Sequence, residues 1–232
     1  MENGLSIILP VYNEELIIKN VIYDIVSNIR QYVNDFEVII INDGSTDNTL
    51  ELINSIKMSF PELKVISHER NRGYGSALKT GIKVSQKDRV FIMDSDGQFR
   101  INDFNIFWKN KQSYDFILGY RAARKDNIYR RCLGKLGNFT ANIFLRESIK
   151  DINCGFKLFK LRDLKNITLI STGGCIYFEI LRYLLKKNKF LQLPVNHYRR
   201  IAGNQTGGNF KVILKNILEG AQIVWPRQTE IF

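Results

Sequence analysis

The 232-residue sequence predicts an α/β fold with a mostly parallel central sheet flanked by helices. The first half of the chain alternates short apolar runs with longer segments of helical periodicity, and the connections between them are short. No internal repeat or low-complexity tract interrupts this pattern. Alternation of this kind is typical of a doubly wound parallel sheet, which binds ligands beyond the carboxyl ends of its strands.

Five strands are predicted from short runs of apolar or β-branched residues that end at polar turn residues. In order they are Leu5 to Leu9, which Pro10 is expected to stop, Glu37 to Ile41, Val65 to Ser67, Arg89 to Met93 and Phe116 to Gly119. Beyond the fifth run the pattern becomes irregular and more basic, so the sequence predicts fewer elements there.

Three helices are predicted between those strands, because apolar residues recur there with the period of an α-helix. They span Glu14 to Tyr32, Thr46 to Met58 and Gly75 to Ser85. Asn13 and Ser45 or Thr46 precede two of the helices, and side chains of these types accept hydrogen bonds from backbone N–H groups at helix starts. We therefore expect them to act as N-caps.

Composition limits the classes of protein to consider. Lysine and arginine exceed aspartate and glutamate by 34 to 23, which gives a formal charge of +11 and indicates an anionic partner such as nucleic acid, an anionic membrane surface or phosphorylated substrates. No run of eighteen apolar residues and no signal peptide is found, so a cytosolic protein is expected. Three cysteines, Cys132, Cys154 and Cys175, and two histidines support neither a disulfide framework nor a zinc site, so buried reduced thiols are expected.

Asp94 and Asp96 directly follow the predicted strand Arg89 to Met93 and precede Gly97 and Gln98. Two carboxylates directed at one point repel each other unless a cation lies between them, and a divalent ion held by one or two carboxylates usually takes further ligands from substrate phosphates and water. The pair therefore predicts a site for a metal ion and a diphosphate. A polar turn that caps the next helix is the alternative for an isolated Asp-x-Asp sequence.

Polar residues also follow the other predicted strands. Helix capping explains neither Glu14 nor Asp43, whose carboxylates suit hydrogen bonds from a nucleobase or from ribose hydroxyls, and Tyr12 could pack against the base. Gly73 and Gly75 allow close approach of the backbone to a phosphate at a helix start. These residues predict a nucleotide site at the same edge of the sheet.

Together these motifs resemble the inverting GT-A glycosyltransferases of family 2, in the group similar to dolichol-phosphate mannose synthase. The resemblance rests on Val11-Tyr12-Asn13-Glu14, Asn42 to Asp47, Asn71-Arg72-Gly73 with Ala77, Asp94 to Gln98, Gly119 with Arg121, Asp151 to Lys157, Glu179 and Pro194 to Gly207. It implies a Rossmann-like GT-A catalytic domain over residues 1–207, with a nucleotide-sugar half over about 1–120, an acceptor half over about 121–207 and acceptor-side helices near its C-terminus. An amphipathic helical extension is expected over 208–232.

The resemblance also implies roles for individual residues. Nucleotide-sugar binding is implied for Pro10, Tyr12, Glu14, Asp43, Gly73, Asp94, Ser95, Asp96 and Gln98. Binding of Mg²⁺ or Mn²⁺ is implied for Asp94, Asp96 and Gln98, and binding of an acceptor phosphate for Arg121, Arg130 and Arg200. The implied reaction is metal-dependent transfer of a sugar from a UDP- or GDP-sugar to a polyprenyl phosphate.

The acceptor determines whether a general base is needed. A phosphate monoester oxygen is already anionic and needs arginines to position it, because the guanidinium group matches phosphate geometry. A sugar hydroxyl of a growing glycan would need a general base, for which Asp151 and Glu179 are the candidates. The expected catalytic residues are therefore Asp94 and Asp96, which hold the metal, together with Asp151 and Glu179. Glu179 could instead be a surface acid paired with Arg182 or Lys186.

A non-catalytic module that binds a nucleotide or nucleic acid is the alternative from another class of function. The acidic residues at the strand ends argue against nucleic acid as its ligand.

A basic segment after residue 120 combines arginines with apolar residues at helical spacing. The apolar members are Tyr129, Leu133, Leu136, Phe139, Ile143 and Phe144. Such a helix either lies in the headgroup region of an anionic membrane or packs this apolar stripe into the core. A second candidate runs from Phe210 to Trp225. We therefore expect a cytoplasmic protein that lies peripherally on the membrane or works with a separate membrane protein.

Overall fold

The structure is a computed structural model that describes residues 4–123, 128–200 and 210–224, with only the backbone described for 128–133, 210–215 and 217. Its strands are β1 (Leu5–Val11), β2 (Phe36–Asn42), β3 (Leu63–Ser67), β4 (Arg89–Met93), β5 (Phe116–Arg121), β6 (Phe156–Lys160) and β7 (Phe190–Val195). Its α-helices are α1 (Ile18–Ile29), α2 (Thr49–Lys57), α3 (Tyr74–Val84), α4 (Phe104–Asn110), α5 (Ile128–Leu145), α6 (Leu161–Lys165), α7 (Ile176–Leu184) and α8 (Phe210–Val224). A 3₁₀ turn, Ile101–Asp103, precedes α4.

Within these residues, one seven-stranded sheet has the order β3-β2-β1-β4-β6-β5-β7. β6 is antiparallel to β4 and to β5, and the other pairings are parallel. The predicted α/β class with a mostly parallel sheet is therefore confirmed. The antiparallel strand was not predicted, because β6 lies in the half of the chain where the periodic pattern is irregular.

Apolar side chains of β1 are buried on both faces of the sheet. Ile7 packs in the cluster formed with α1, whereas Ile8 packs in the cluster formed with α3 and α7. Strands that are buried on both faces appear in the sequence as continuous apolar runs, which is why short apolar runs identified them. Helices cover both faces of the sheet, so the polar residues that follow the strands lie at its carboxyl edge.

β1 is longer than the sequence predicted. Pro10 was expected to stop it at Leu9, but the strand continues to Val11 and Pro10 pairs with Ile41 of β2. β1 pairs with β4 only as far as Ile8, so Pro10 lies where β1 has lost one of its two neighbours. Proline is tolerated in a strand at such an edge because its missing N–H breaks no ladder hydrogen bond there.

α5 leaves much of its apolar stripe outside the core. Leu136, Phe139, Ile143 and Phe144 are 62%, 64%, 59% and 49% exposed. The alternative in which this stripe packs into the core is therefore wrong for these four residues. Tyr129 and Leu133, the other two members, lie outside the residues with described side chains.

The structure gives partial answers on membrane spans and thiols. Among the helices of the described residues, none is long and apolar enough to cross a membrane. Cys154 is buried and Cys175 partly buried, and both are free thiols. The side chain of Cys132 lies outside the described residues.

Candidate active site

The loops that carry the predicted site residues meet at the carboxyl edge of the parallel strands. Because β6 runs antiparallel, the residues that precede it reach the same edge as those that follow β1, β2 and β4. The backbone N–H of Asp94 donates to the carbonyl oxygen of Gly155 at 3.0 Å, which joins the two loops. The antiparallel direction of β6 thus places residues 151–155 at the site.

Asn13 joins the loops after β1 and β2 and does not cap a helix. Its backbone N–H donates to Ser45 Oγ at 3.0 Å, and its Oδ1 accepts from the backbone N–H of Thr46 at 2.8 Å. Neither α1 nor α2 has a side-chain hydrogen bond at its N-cap residue. The predicted N-capping roles of Asn13, Ser45 and Thr46 are therefore wrong, because the two loops bond to each other.

Asp43 holds the loop that leads into α3. Its Oδ2 accepts from the backbone N–H of Gly73 at 2.8 Å, and its Oδ1 accepts from Arg72 N at 3.0 Å and lies 2.6 Å from His68 Nδ1. Gly73 has φ of 95°, a conformation that favours glycine. His68 was not identified from the sequence, since a lone histidine after a strand has no distinguishing pattern. The nucleotide-binding roles of Asp43 and Gly73 stay predictions.

Arg200 connects two predicted site acids that lie far away in the sequence. Its Nη2 donates to Glu14 Oε1 at 2.5 Å, and its Nη1 lies 3.6 Å from Asp96 Oδ2. Burial raises the pKa of Glu14 to about 7, although the charge of Arg200 opposes this. Burial, followed by the nearby charge of Asp94, raises the pKa of Asp96 to about 6. A cation at this point would stabilise both carboxylates.

Gln98 positions the segment that carries Arg200. Its Nε2 donates to the carbonyl oxygen of Tyr198 at 3.1 Å, and the backbone N–H of Tyr198 donates to Gln98 O at 2.9 Å. The backbone N–H of Gln98 also donates to Asp96 Oδ1 at 3.1 Å. The structure thus shows Gln98 linking the Asp-x-Asp turn to the segment that follows β7, and its role as a metal ligand stays a prediction.

Asp94 lies in a network that the sequence did not reveal. Its Oδ1 accepts from the Tyr74 hydroxyl at 2.6 Å, and that hydroxyl lies 2.7 Å from the hydroxyl of Tyr177. Burial raises the pKa of Asp94, whereas the hydrogen bond from Tyr74 lowers it. The positive charges that also favour the carboxylate belong to Arg121, Lys157 and Arg200.

Two further predicted nucleotide residues are joined by a hydrogen bond. The hydroxyl of Ser95 is buried and donates to the carbonyl oxygen of Pro10 at 2.7 Å. This bond ties the end of β1 to the Asp-x-Asp turn. Tyr12, half-buried, lies in the same loop, and its packing on a base stays a prediction.

Arg121 and Asp151 form a bidentate ion pair beside a cavity. Arg121 Nε donates to Asp151 Oδ2 at 2.7 Å and Nη2 donates to Oδ1 at 2.8 Å, and both side chains are 13% exposed. The pair lines a cavity of about 420 Å³ together with Lys135, Phe139 and Lys150. Asp151 therefore fixes the direction of the Arg121 guanidinium.

Glu179 is buried in α7 and bonded to the backbone. Its Oε1 accepts from Ile170 N at 2.8 Å and its Oε2 from Ser171 N at 2.9 Å. The alternative of a surface acid paired with Arg182 or Lys186 is therefore wrong. Both oxygens hold the loop before α7, which is a structural role, and its role as a general base stays a prediction.

Arg130 and residues 201–209 lie outside the side chains that the structure describes, so the predicted contact of Arg130 with an acceptor phosphate stays a prediction.

Tyr74, Tyr177 and Lys157 were not singled out from the sequence. Aromatic residues beside apolar positions look like core residues, and only the structure shows that the Tyr74 hydroxyl contacts Asp94 and the Tyr177 hydroxyl contacts Tyr74.

Asp94 and Asp96 fit a divalent cation that takes its other ligands from a diphosphate and water. In the described part of the chain, no group of three or more His, Cys, Asp and Glu side chains is arranged to hold a metal by itself. Mg²⁺ commonly binds through one or two carboxylates plus substrate phosphates, so the donor set here suits a substrate-bridged ion.

Known proteins similar to this chain include enzymes that act on lipid phosphates. A dolichyl-phosphate beta-glucosyltransferase of Dictyostelium discoideum is 31% identical over 82% of this chain and 64% of the relative. A dodecaprenyl-phosphate galacturonate synthase of Rhizobium johnstonii is 25% identical over 90% of this chain and 64% of the relative. The chain thus spans less than two thirds of the length of either relative.

The fold is that of GT-A glycosyltransferases. A crystal structure of glucosyl-3-phosphoglycerate synthase from Mycobacterium tuberculosis with Mn²⁺, UDP-glucose and phosphoglyceric acid superposes with a TM-score of 0.71 at 18% identity, covering 96% of this chain and 80% of that one. A structure of S. aureus TarS gives a TM-score of 0.59 at 17% identity. Residues 6–168 match the family described as Glycosyl transferase family 2. The match covers more than half of the sequence, and the chain therefore belongs to this family.

Proposed function

We propose that this chain transfers a sugar from a nucleotide-diphosphate sugar to a polyprenyl phosphate, with inversion at the sugar carbon and with a divalent cation. The observation that carries the proposal is the position of two arginines: Arg121 is held by Asp151 in a bidentate ion pair at the 420 Å³ cavity, and Arg200 lies 3.6 Å from Asp96 at the Asp-x-Asp turn. The two most informative relatives are named for transfer to dolichyl phosphate and dodecaprenyl phosphate. Solved GT-A relatives hold Mn²⁺ with UDP, which supports the cation.

The chemistry suits a phosphate acceptor. An acceptor phosphate oxygen would form the new bond to the anomeric carbon while the bond from that carbon to the diphosphate breaks and the nucleoside diphosphate leaves. A bound Mg²⁺ or Mn²⁺ would neutralise charge on the leaving diphosphate. Arg121, held by Asp151 at the edge of the 420 Å³ cavity, would orient the acceptor phosphate.

The geometry favours phosphate over a sugar hydroxyl as the acceptor. A hydroxyl would need a general base, and both oxygens of Glu179 already accept backbone N–H groups while Asp151 is bonded to Arg121 through both of its oxygens. A phosphate monoester needs no base because its oxygen is already anionic. Arg121, whose direction Asp151 fixes, supplies the positively charged donor that such an acceptor requires.

We also propose that the protein lies peripherally on an anionic membrane surface, where its acceptor would be found. The support is the exposed apolar face of α5 next to the acceptor cavity, together with the net charge of +11. Phe139 belongs to both the exposed face and the lining of the cavity. A lipid phosphate entering that cavity would therefore do so beside the helix that meets the membrane.

A donor screen tests the proposed reaction. Purified protein is incubated with Mn²⁺ or Mg²⁺ and a panel of UDP- and GDP-sugars, with and without a short polyprenyl phosphate, and released nucleotide and lipid product are measured. We expect one donor to give glycolipid only when metal and polyprenyl phosphate are both present. Asp96→Asn should lower this rate by about 100-fold or more, because the leaving diphosphate loses its charge stabilisation. Product formed only with a glycan acceptor would contradict the proposal.

A further inference from the structure

The hydroxyl groups of Tyr74 and Tyr177 form a series of hydrogen bonds that ends on Asp94. The Tyr74 hydroxyl oxygen lies 2.6 Å from Asp94 Oδ1 and 2.7 Å from the Tyr177 hydroxyl oxygen. Tyr177 is 3% exposed, and the two rings pack edge to face with centroids 5.9 Å apart. Tyr177 is thus buried, whereas Tyr74 is half-buried and joins it to the Asp-x-Asp turn.

The direction of these hydrogen bonds follows from the groups involved. An ionised carboxylate only accepts, so the single proton of the Tyr74 hydroxyl is donated to Asp94. The Tyr74 oxygen then accepts from the Tyr177 hydroxyl. Tyr177 thus donates to Tyr74, and Tyr74 donates to Asp94, so that one carboxylate oxygen of Asp94 has a hydrogen bond from the protein.

Both tyrosines are fixed by the backbone around them. Tyr74 is the first residue of α3, and the next two residues, Gly75 and Ser76, donate their backbone N–H groups to the carbonyl oxygen of Thr172. Tyr177 lies in α7, directly after that loop, and the ammonium of Lys157 lies 4.3 Å from the centroid of its ring. The start of α3 and the start of α7 are therefore held together, with the two hydroxyls between them.

We propose that Tyr74 is a positioning residue for the metal ligand Asp94, and that Tyr177 supports it. The hydrogen bond to Oδ1 fixes the rotation of the carboxylate and leaves Oδ2 for the cation, so that the ligand is set before the metal arrives. This inference rests on the metal site of the proposed function. It adds two residues, from α3 and α7, that do not touch the substrate in that proposal.

The test measures metal binding without turnover. Mn²⁺ is titrated into the whole protein with saturating UDP, and in parallel with GDP, and free Mn²⁺ is followed by electron paramagnetic resonance. We expect Tyr74→Phe to weaken Mn²⁺ binding about tenfold, in the range seen when a hydrogen-bond partner of a metal ligand is removed. Tyr177→Phe should have a smaller effect, and the double variant should match Tyr74→Phe, because Tyr177 acts through Tyr74.

Tyr183→Phe is the matched control, since Tyr183 lies in the same helix as Tyr177 but is 49% exposed. It should bind Mn²⁺ as the unchanged protein does. Thermal unfolding of each variant separates positioning from packing, because a purely structural role lowers the melting temperature without changing Mn²⁺ affinity.

The possible outcomes are distinct. Wild-type affinity in Tyr74→Phe, with or without a lower melting temperature, would overturn this inference and leave the proposed function intact. Equal losses in Tyr74→Phe and Tyr183→Phe would also overturn it, because the effect would then not depend on contact with Asp94. Failure of the unchanged protein to bind Mn²⁺ with either nucleotide would contradict the metal site of the proposed function, and this inference with it.

Discussion

Gly155 determines how closely the Asp94 carboxylate approaches the backbone. A Cβ atom at residue 155 would lie 2.0 Å from Asp94 Oδ2 and 2.2 Å from Oδ1, far inside van der Waals contact. The carboxylate lies against the glycine because there is no side chain in the way. A single methyl group would therefore displace the predicted metal ligand.

Gly155→Ala is expected to weaken binding of Mn²⁺ with UDP by about 10- to 100-fold and to cost about 1–3 kcal/mol of unfolding free energy. The Mn²⁺ titration and denaturant unfolding check the two effects. Gly137→Ala in α5 is the control, because a Cβ there meets no atom within 4 Å. It should leave Mn²⁺ binding unchanged. Normal Mn²⁺ affinity in Gly155→Ala would show that Asp94 is not held where the metal binds.

At the residue scale, the sequence predicted the acids better than their partners. Asp94 and Asp96 could be identified because they directly follow a buried strand, and Glu14 because capping did not explain it. The partners of these acids come from distant positions: Arg200 meets Glu14 across 186 residues, and Tyr177 meets Tyr74 across 103. Contacts of this separation depend on how the helices pack, which local patterns do not encode.

At the element scale, α5 is the feature whose surface the sequence left undecided. A stripe of apolar residues at helical spacing is equally compatible with a core and with a membrane surface. The structure packs Ala141 and Leu145 against the core cluster and leaves Phe139 and Ile143 more than half exposed. The helix therefore has an inner face that holds it to the domain and an outer apolar face beside the 420 Å³ cavity.

Phe139→Ser with Ile143→Ser is expected to lower binding to vesicles of phosphatidylglycerol and phosphatidylcholine by at least about tenfold, since two apolar side chains no longer enter the bilayer. Vesicle sedimentation at low and high salt measures this. Met58→Ser is the control, because Met58 is 97% exposed but lies in a different part of the chain. Unchanged vesicle binding in the double variant would contradict the membrane role of α5.

The direction of β6 is the element-scale feature that the sequence could not give. Its five residues, Phe156–Lys160, have no periodicity that distinguishes a parallel from an antiparallel strand. Direction depends on the path of the preceding chain, which reaches the carboxyl edge of the sheet before β6 begins. That path is what brings Asp151 to Arg121 and Gly155 to Asp94.

At the scale of the whole molecule, the C-terminal helix is connected to the site through one loop. Glu219 of α8 accepts hydrogen bonds from Ser171 Oγ at 2.7 Å, Thr172 Oγ1 at 2.8 Å and Gly173 N at 3.1 Å. Partial burial acts to raise the pKa of Glu219, but the hydrogen bonds from this loop outweigh that effect and lower the pKa. The same loop accepts from Gly75 at the start of α3. The first five strands along the chain and the motifs at their ends were predictable, whereas β6, β7 and these contacts of α8 were not.

The proposed reaction requires a phosphate as the acceptor. The most direct test uses the donor identified by the screen and compares a short polyprenyl phosphate with the polyprenol of the same chain length, measuring kcat/KM for glycolipid formation. We predict that the phosphate is preferred by at least about 10³-fold, because a site built to bind a group strongly rejects the analogue that lacks it. Equal rates with the alcohol, or transfer only to a glycan hydroxyl, would contradict the account.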